Sequence, residues 1–415
     1  MTAIEGAARR LALSAFSRIH DGSLELVEPG GGKLRFGDTA ADLAATVEIH
    51  STKFWRAILG GSAALGEAYR DGIWDCKDLV ALIRIACRNL GSLDTWRRRL
   101  HPLLVPLEKT VWRVPRNSRG ASRRHISAHY DLGNDLFALY LDESMMYSCA
   151  VFPDPEATLA EAQQNRLERI CQSLELGPDD HLLEIGTGWG AMAAYAASNY
   201  GCQVTSTTIS QEQREGALRR IRDAGVEDRV TVLLEDYRDL RGHYTKLVSL
   251  EMIEAVGWQY FDLFFRRCSE LLDPDGLFFL QAIVIDDRLY EVEKAARSFA
   301  NTLIFPGGCL PSVELIQRSV ARETNMSTVW LDEIGAHYAR TLELWRERFI
   351  ANSDLAGELG YDEPFRRLWT LWLAMSEAGF RERRLREVQV LFAKPERSVR
   401  VTGDQWRKAT ARQSS

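Results

Sequence analysis

The 415-residue sequence has no CxxC pair and no regular cysteine spacing; its seven cysteines, Cys76, Cys87, Cys149, Cys171, Cys202, Cys268 and Cys309, are scattered along the chain. That excludes a disulfide framework and a structural zinc cluster, and it suits a reducing compartment such as the cytoplasm. No apolar run approaches the roughly 20 residues needed to cross a bilayer; the longest, residues 276–285, reads as a buried strand. Residues 1–16 contain Arg9 and Arg10 with no apolar segment or cleavage pattern behind them, so no signal peptide is expected. Any membrane contact should then be peripheral, on the inner face. An excess of positive charge is also missing. A net charge of −6 and a pI of about 5.9 leave no broad basic face for nucleic acid. Among the eight histidines, His125 and His129 lie close together without a third or fourth ligand at a useful spacing, so no metal site is expected. The chain shows no internal repeat and no low-complexity segment.

What is present points to two domains. Residues 24–27, 33–36 and 45–49 read as short strands, the first two separated by the turn Pro29-Gly30-Gly31-Gly32, and residues 52–58, 63–69 and 76–89 read as helices. A small α+β domain over residues 1–112 is therefore expected, followed by a linker at 113–122, a catalytic domain at 123–397 and a disordered tail at 398–415. Residues 97–124 hold nine Lys and Arg against the single acid Glu108, with Trp96 and Trp112 nearby. This basic island is either a solvated face or a seat on anionic headgroups, where each basic residue contributes about 1 kcal/mol. Beyond the linker, apolar segments at 181–185, 203–207, 230–234, 247–251 and 277–285 alternate with helical stretches at 190–199, 211–224 and 258–272. That alternation predicts an α/β doubly wound parallel sheet. Residues 290–325 and 362–379 read as helical additions, and 388–392 as a closing strand.

The most informative short motif runs from His181 through Glu184, Ile185, Gly186, Thr187, Gly188 and Trp189 to Gly190, a strand ending in a glycine turn before a small-residue helix. A dinucleotide site would need GxGxxG and an acid closing the second strand. Here the pattern is GxGxG preceded by Glu184, and the second strand ends in Thr205-Ser206-Thr207-Thr208 without a carboxylate. An acid at the mouth of the first strand suits a cationic cofactor bearing an amino acid, and S-adenosylmethionine fits that description.

Further segments occur in a fixed order: His129-Tyr130-Asp131-Leu132-Gly133-Asn134-Asp135, Met146-Tyr147-Ser148-Cys149-Ala150, Thr208-Ile209-Ser210, Glu254, Phe305-Pro306-Gly307-Gly308 and His337-Tyr338-Ala339-Arg340-Thr341-Leu342. With the glycine loop, they closely resemble the cyclopropane fatty acid synthase and mycolic acid methyltransferase family over residues 122–395, and the N-terminal part resembles its phospholipid-acting branch. The resemblance implies a class I methyltransferase sheet with helical lipid-binding insertions. It also implies that Tyr147 and Ser148 hold the methionine end of the cofactor, that Gly186 and Gly188 lie against it, that Thr208 and Gln213 reach the ribose, and that Asp236 and Tyr237 flank the adenine. A bicarbonate is implied beside the reacting carbon, held by Cys149, Glu254, the backbone at Ile283, and Tyr338. One position departs from the family pattern: Gln281, in Leu280-Gln281-Ala282-Ile283, stands where most members have His.

The chemistry accounts for such a set. Methyl transfer to an alkene leaves a carbocation on a chain with no charge of its own, so an anion must stabilise it and a base must remove a proton. Gln281 can donate a hydrogen bond but cannot take up a proton. The expectation is therefore cyclopropane formation on the unsaturated acyl chain of a membrane phospholipid, by a homodimer. Two alternatives stay open: a methyl- or methylene-branched product, and a silent lipid-binding homologue. Glu251 is a competing carboxylate at the cofactor cleft. Phe299, Phe305, Trp369 and Trp372 are either core or the walls of an acyl tunnel.

Overall fold

The computed structural model describes residues 1–91, 133–294 and 296–397. The expected domain boundary and linker, the basic island, Tyr130, His125, His129 and the tail lie outside the described residues.

The N-terminal sheet contains β1 (Ser23–Val27), β2 (Lys33–Gly37), β3 (Ala44–Ile49) and β4 (Trp74–Cys76), in the order β2-β1-β3-β4. Alternation explains β3: Ala45, Val47 and Ile49 are buried while the residues between them are exposed. The sheet packs on the helix Leu79–Asn89, capped by Asp78, and the helix Ala3–Phe16, fastened by a capping box between Thr2 and Glu5, packs on the helix Lys53–Leu59.

The larger sheet contains β5 (His181–Ile185), β6 (Gln203–Thr208), β7 (Val230–Leu234), β8 (Tyr244–Leu250), β9 (Leu272–Ile285), β10 (Ser327–Glu333) and β11 (Leu385–Ala393), ordered β10-β11-β9-β8-β5-β6-β7. The α/β class is the expected one, but the sheet is not wholly parallel. The closing strand β11 is antiparallel to both β9 and β10 and pairs Glu387 with Ile283 and Gln389 with Gln281. Paired residues project on the same face, so Gln281, Glu387 and Gln389 form a buried polar row beside Ile283. Strand order reverses between β5 and β8, which places a crevice at their carboxyl ends.

The N-terminal sheet shares a core with helices of the larger part. Helix Glu363–Arg381 lies against Leu79–Asn89. Glu382, just past its end, accepts from Arg84 and Arg88 at 2.7 and 2.8 Å, and Arg367 donates to Asp75 and lies over the Tyr69 ring. Phe299, expected as a possible tunnel wall, is instead fully buried against Gly66 of the helix Gly61–Arg70. Trp369 stacks on Phe365 within the same aromatic core.

Candidate active site

At the end of β5 the chain turns through Gly186, Gly188 and Gly190, all at positive φ. Each glycine has its own reason. A Cβ on Gly186 would press on Met252, one on Gly190 would lie 2.9 Å from Ala217, and Gly188 faces open space. The turn therefore packs tightly on its protein side and leaves backbone bare on the other, as a ligand cradle requires.

All nine residues expected at the cofactor line one cleft around this turn: Tyr147, Ser148, Glu184, Gly186, Gly188, Thr208, Gln213, Asp236 and Tyr237. Thr208 donates to the Gln213 side chain at 2.8 Å, and Asp236 is held by two bonds from the Arg238 guanidinium, at 2.8 and 2.6 Å. Tyr147 accepts from the Trp372 indole at 3.1 Å, so Trp372 with its neighbour Phe305 borders the cleft at Tyr147. Glu184 is 3% exposed and accepts from Ser206 at 2.5 Å; burial pushes its carboxyl up to about 8. A buried acid with no cationic partner among the described residues, beside bare backbone, fits the ammonium of an amino-acid-bearing cofactor.

The cleft ends on Glu251, the first residue after β8, whose φ of 50° lies in the left-handed region. This twist turns its carboxylate away from the strand and into a buried cluster. There Glu251 accepts from the Cys149 N–H at 2.7 Å, the Gln281 amide at 2.8 Å and the Tyr338 hydroxyl at 2.6 Å. Glu254, on the short turn Ile253–Ala255, accepts from the Ile283 N–H at 2.6 Å, while its second oxygen has no hydrogen-bond partner among the described residues. The structure thus brings Cys149, Glu254, Gln281, Ile283 and Tyr338 together. Their donors, however, converge on Glu251 and Glu254 themselves.

Three residues of this cluster carried no expectation. Arg166, fully buried on the helix Leu159–Ser173, donates to Ser148 at 2.6 Å and to the Cys149 carbonyl at 2.9 Å. Gln389 donates to the Gln281 carbonyl at 3.0 Å and so aims the Gln281 NH₂ at Glu251. Glu387 is fully buried, and its oxygens accept from no donor among the described residues. Its neighbour is the Glu251 carboxylate, with which it can bond only when one of the two holds a proton. A signal existed in the sequence: Glu387 and Gln389 alternate with Val388 and Val390 in a strand buried on both faces.

Three carboxyls against one guanidinium in a buried cluster cannot all ionise cheaply. Burial, then the charge of Glu251, raises Glu254 to about 8. Burial also raises Glu251, and burial with the charges of Glu251 and Glu254 lifts Glu387 well above the usual range. The Cys149 thiol is pushed up by burial and by Glu387 and Glu251, so it is a packed neutral group rather than a nucleophile.

Residues 117–390 match the family model described as mycolic acid cyclopropane synthetase. The chain is 40% identical over 330 residues to the tuberculostearic acid methyltransferase UfaA1 of Mycobacterium tuberculosis, covering 77% of this chain and 76% of that one. It is 37% identical over 363 residues to the cyclopropane-fatty-acyl-phospholipid synthase of Escherichia coli, covering 84% and 88%. Among solved structures, it superposes with a TM-score of 0.61 and 29% identity on the mycolic acid cyclopropane synthase CmaA1 complexed with SAH and CTAB, covering 66% of this chain and 98% of that one. The M. tuberculosis cyclopropane synthase MmaA2 gives 0.62 and 28%, with the same coverage.

Proposed function

The chain belongs to the mycolic acid cyclopropane synthetase family and is an S-adenosylmethionine-dependent methyltransferase of fatty-acyl chains; from this premise we propose that it methylates the double bond of an unsaturated acyl chain carried by phospholipid and closes a cyclopropane ring. One observation carries the reading: the cofactor cleft ends on a carboxylate, Glu251, backed by a buried cluster of further carboxyls. Such a cluster has little purpose for transfer to a basic nitrogen or an alkoxide, whereas an alkene made cationic needs negative charge and the absence of water. A phospholipid as carrier is supported by the E. coli relative, whose likeness extends over the N-terminal part as well.

When bound, the cofactor supplies an electrophilic methyl group. Glu184 would hold its ammonium, Thr208 and Gln213 the ribose, and Asp236 and Tyr237 the adenine edge. Tyr147, Trp372 and Phe305 would exclude water and present aromatic faces, each worth about 0.5 to 2 kcal/mol toward a cation.

The bicarbonate implied by the resemblance does not fit the residues as they are folded. The Tyr338, Gln281 and Cys149 donors are spent on Glu251 and the Ile283 N–H on Glu254. A second anion there would meet carboxylates rather than open donors, so no step is assigned to it. A branched product is the second reading, favoured by Gln281, which cannot take a proton, and by the name of the 40% relative. Incubation with labelled S-adenosylmethionine and monounsaturated phospholipid vesicles tests both: the acyl chain should gain one CH₂. Proton NMR should show ring hydrogens rather than the vinylic hydrogens of an isomer of equal mass; an unaltered chain would sink the assignment.

A further inference from the structure

The cluster behind the cleft contains more acid than the methyl-transfer step requires, and its least exposed carboxyl accepts no hydrogen bond from the described residues. Glu387 comes from the antiparallel strand β11, directly opposite Ile283, and is the one carboxyl here whose oxygens receive neither N–H nor O–H from the described residues. A carboxylate left so would be prohibitively unstable. A carboxylic acid donating to Glu251 would not.

We propose that Glu251, held by Tyr338, Gln281 and the Cys149 N–H, is the base that removes the proton in ring closure, and that Glu387 is a positioning residue that keeps Glu251 ionised and aimed by donating a carboxylic hydrogen to it. The proposal rests on the acyl-methylation reading above. Glu251 is suited to the role by place, since of the three carboxyls in the cluster it is the one that lines the cofactor cleft. The step balances within the molecule. A C–H bond of the transferred methyl breaks, its proton goes to Glu251, and its electron pair forms the carbon–carbon bond that closes the ring and discharges the cation. The Glu251–Glu387 pair passes from one negative charge to none, and the proton leaves after the products do.

The groups facing Glu251 are consistent with this charge state. Arg166 offers one compensating positive charge, Glu254 and Glu387 are carboxyls, and Cys149 and Tyr338 are neutral. One guanidinium balances one carboxylate, and the remaining acids stay protonated.

Glu251→Gln should lower turnover by about 100-fold or more, the scale of a lost general base, while S-adenosylhomocysteine affinity changes less than about threefold. Glu387→Gln still donates a hydrogen bond and should keep most of its plateau rate. Because an amide is the weaker donor, the acid limb of the rate profile should move up by about half a pH unit or more. A merely structural Glu387 would lower the rate without moving that limb. Rate should be equal in carbonate-free and bicarbonate-supplemented buffer. In infrared spectra at neutral pH, independently of activity, Glu387→Gln should remove a carboxylic C=O band present in the wild type. A near-normal Glu251→Gln enzyme, an unmoved acid limb, strict dependence on bicarbonate or an unchanged infrared band would each overturn the assignment. Wild type that leaves unsaturated phospholipid unaltered while the infrared band behaves as stated would instead refute the substrate reading and leave the proton-sharing pair standing.

Discussion

Glu184 shows how a single side chain links fold to ligand. It closes β5, it is buried, and it has one hydroxyl donor, so its carboxyl is raised to about 8. A cationic ligand prefers the ionised form. Cofactor affinity should therefore rise as pH increases through about 8, and Glu184→Gln should weaken binding about tenfold, roughly 1.4 kcal/mol, and flatten the pH dependence. Calorimetric titration with S-adenosylhomocysteine, which keeps the ammonium, measures both; pH-independent wild-type affinity would remove Glu184 from the site. At this scale the sequence was most legible, because glycines, an acid at a strand end and ordered motifs mark positions whatever the surrounding tertiary detail. What it did not convey was which carboxylate receives the donors. Glu251 does so because its backbone sits at φ 50°, a conformation that costs an ordinary residue about 1 to 3 kcal/mol and is held only by its surroundings. The surroundings are supplied by three separate segments, with Cys149, Gln281 and Tyr338 lying 102, 30 and 87 residues from Glu251 in the sequence.

Elements declared themselves where one face meets the core and the other meets water. β3, β7 and the helix Gln211–Asp223 match their apolar periodicity closely, while β5 shows instead as a short run buried on both faces. β10 was missed because it is an edge strand whose residues are mostly exposed, leaving no alternation to read, and β4 because it spans three residues. The helix Leu159–Ser173 was overlooked too, although Thr158 and Glu161 form a capping box at its start and Arg166 sits on its buried face. The antiparallel register of β9 and β11 could not be read from either strand alone, yet it decides the site by setting Gln389 opposite Gln281. Gln389→Leu should leave the Gln281 amide unaimed and its carbonyl unpaired, costing about 1 to 3 kcal/mol. Turnover should fall while cofactor affinity holds. Denaturant titration and a kcat against Kd comparison check this; equal loss of both would place Gln389 outside the cluster.

At the scale of the whole molecule, the site depends on the docking of the N-terminal part. A Cβ added at Gly66 would lie 2.2 Å from the Phe299 ring, which is itself fully buried. Gly66→Ala should therefore cost about 1 to 3 kcal/mol through overpacking, seen as a lower unfolding midpoint, whereas an unchanged midpoint would show that the contact is loose. The distribution of raised carboxyls makes a second, global statement. Glu184 and Glu254 are each raised to about 8 from an ordinary value of 4.5, and Glu251 and Glu387 are raised as well. The folded chain then binds more protons than the unfolded one across that window, so stability is greatest near its acid end and is lost as pH rises toward about 8. Carboxyls held low by arginine, such as Glu382 and Asp286, act in the opposite direction, but their contribution is gained as pH climbs from below into the ordinary carboxylate range and is nearly constant above it. Ligand-free protein should accordingly melt at a lower temperature at about pH 8 than at about pH 6, and the Glu184→Gln, Glu254→Gln double variant should lose most of that slope. Calorimetric scans at both pH values decide the matter: a midpoint that holds or rises would mean that these acids are ionised in the fold, and the cluster would then need a source of positive charge beyond Arg166.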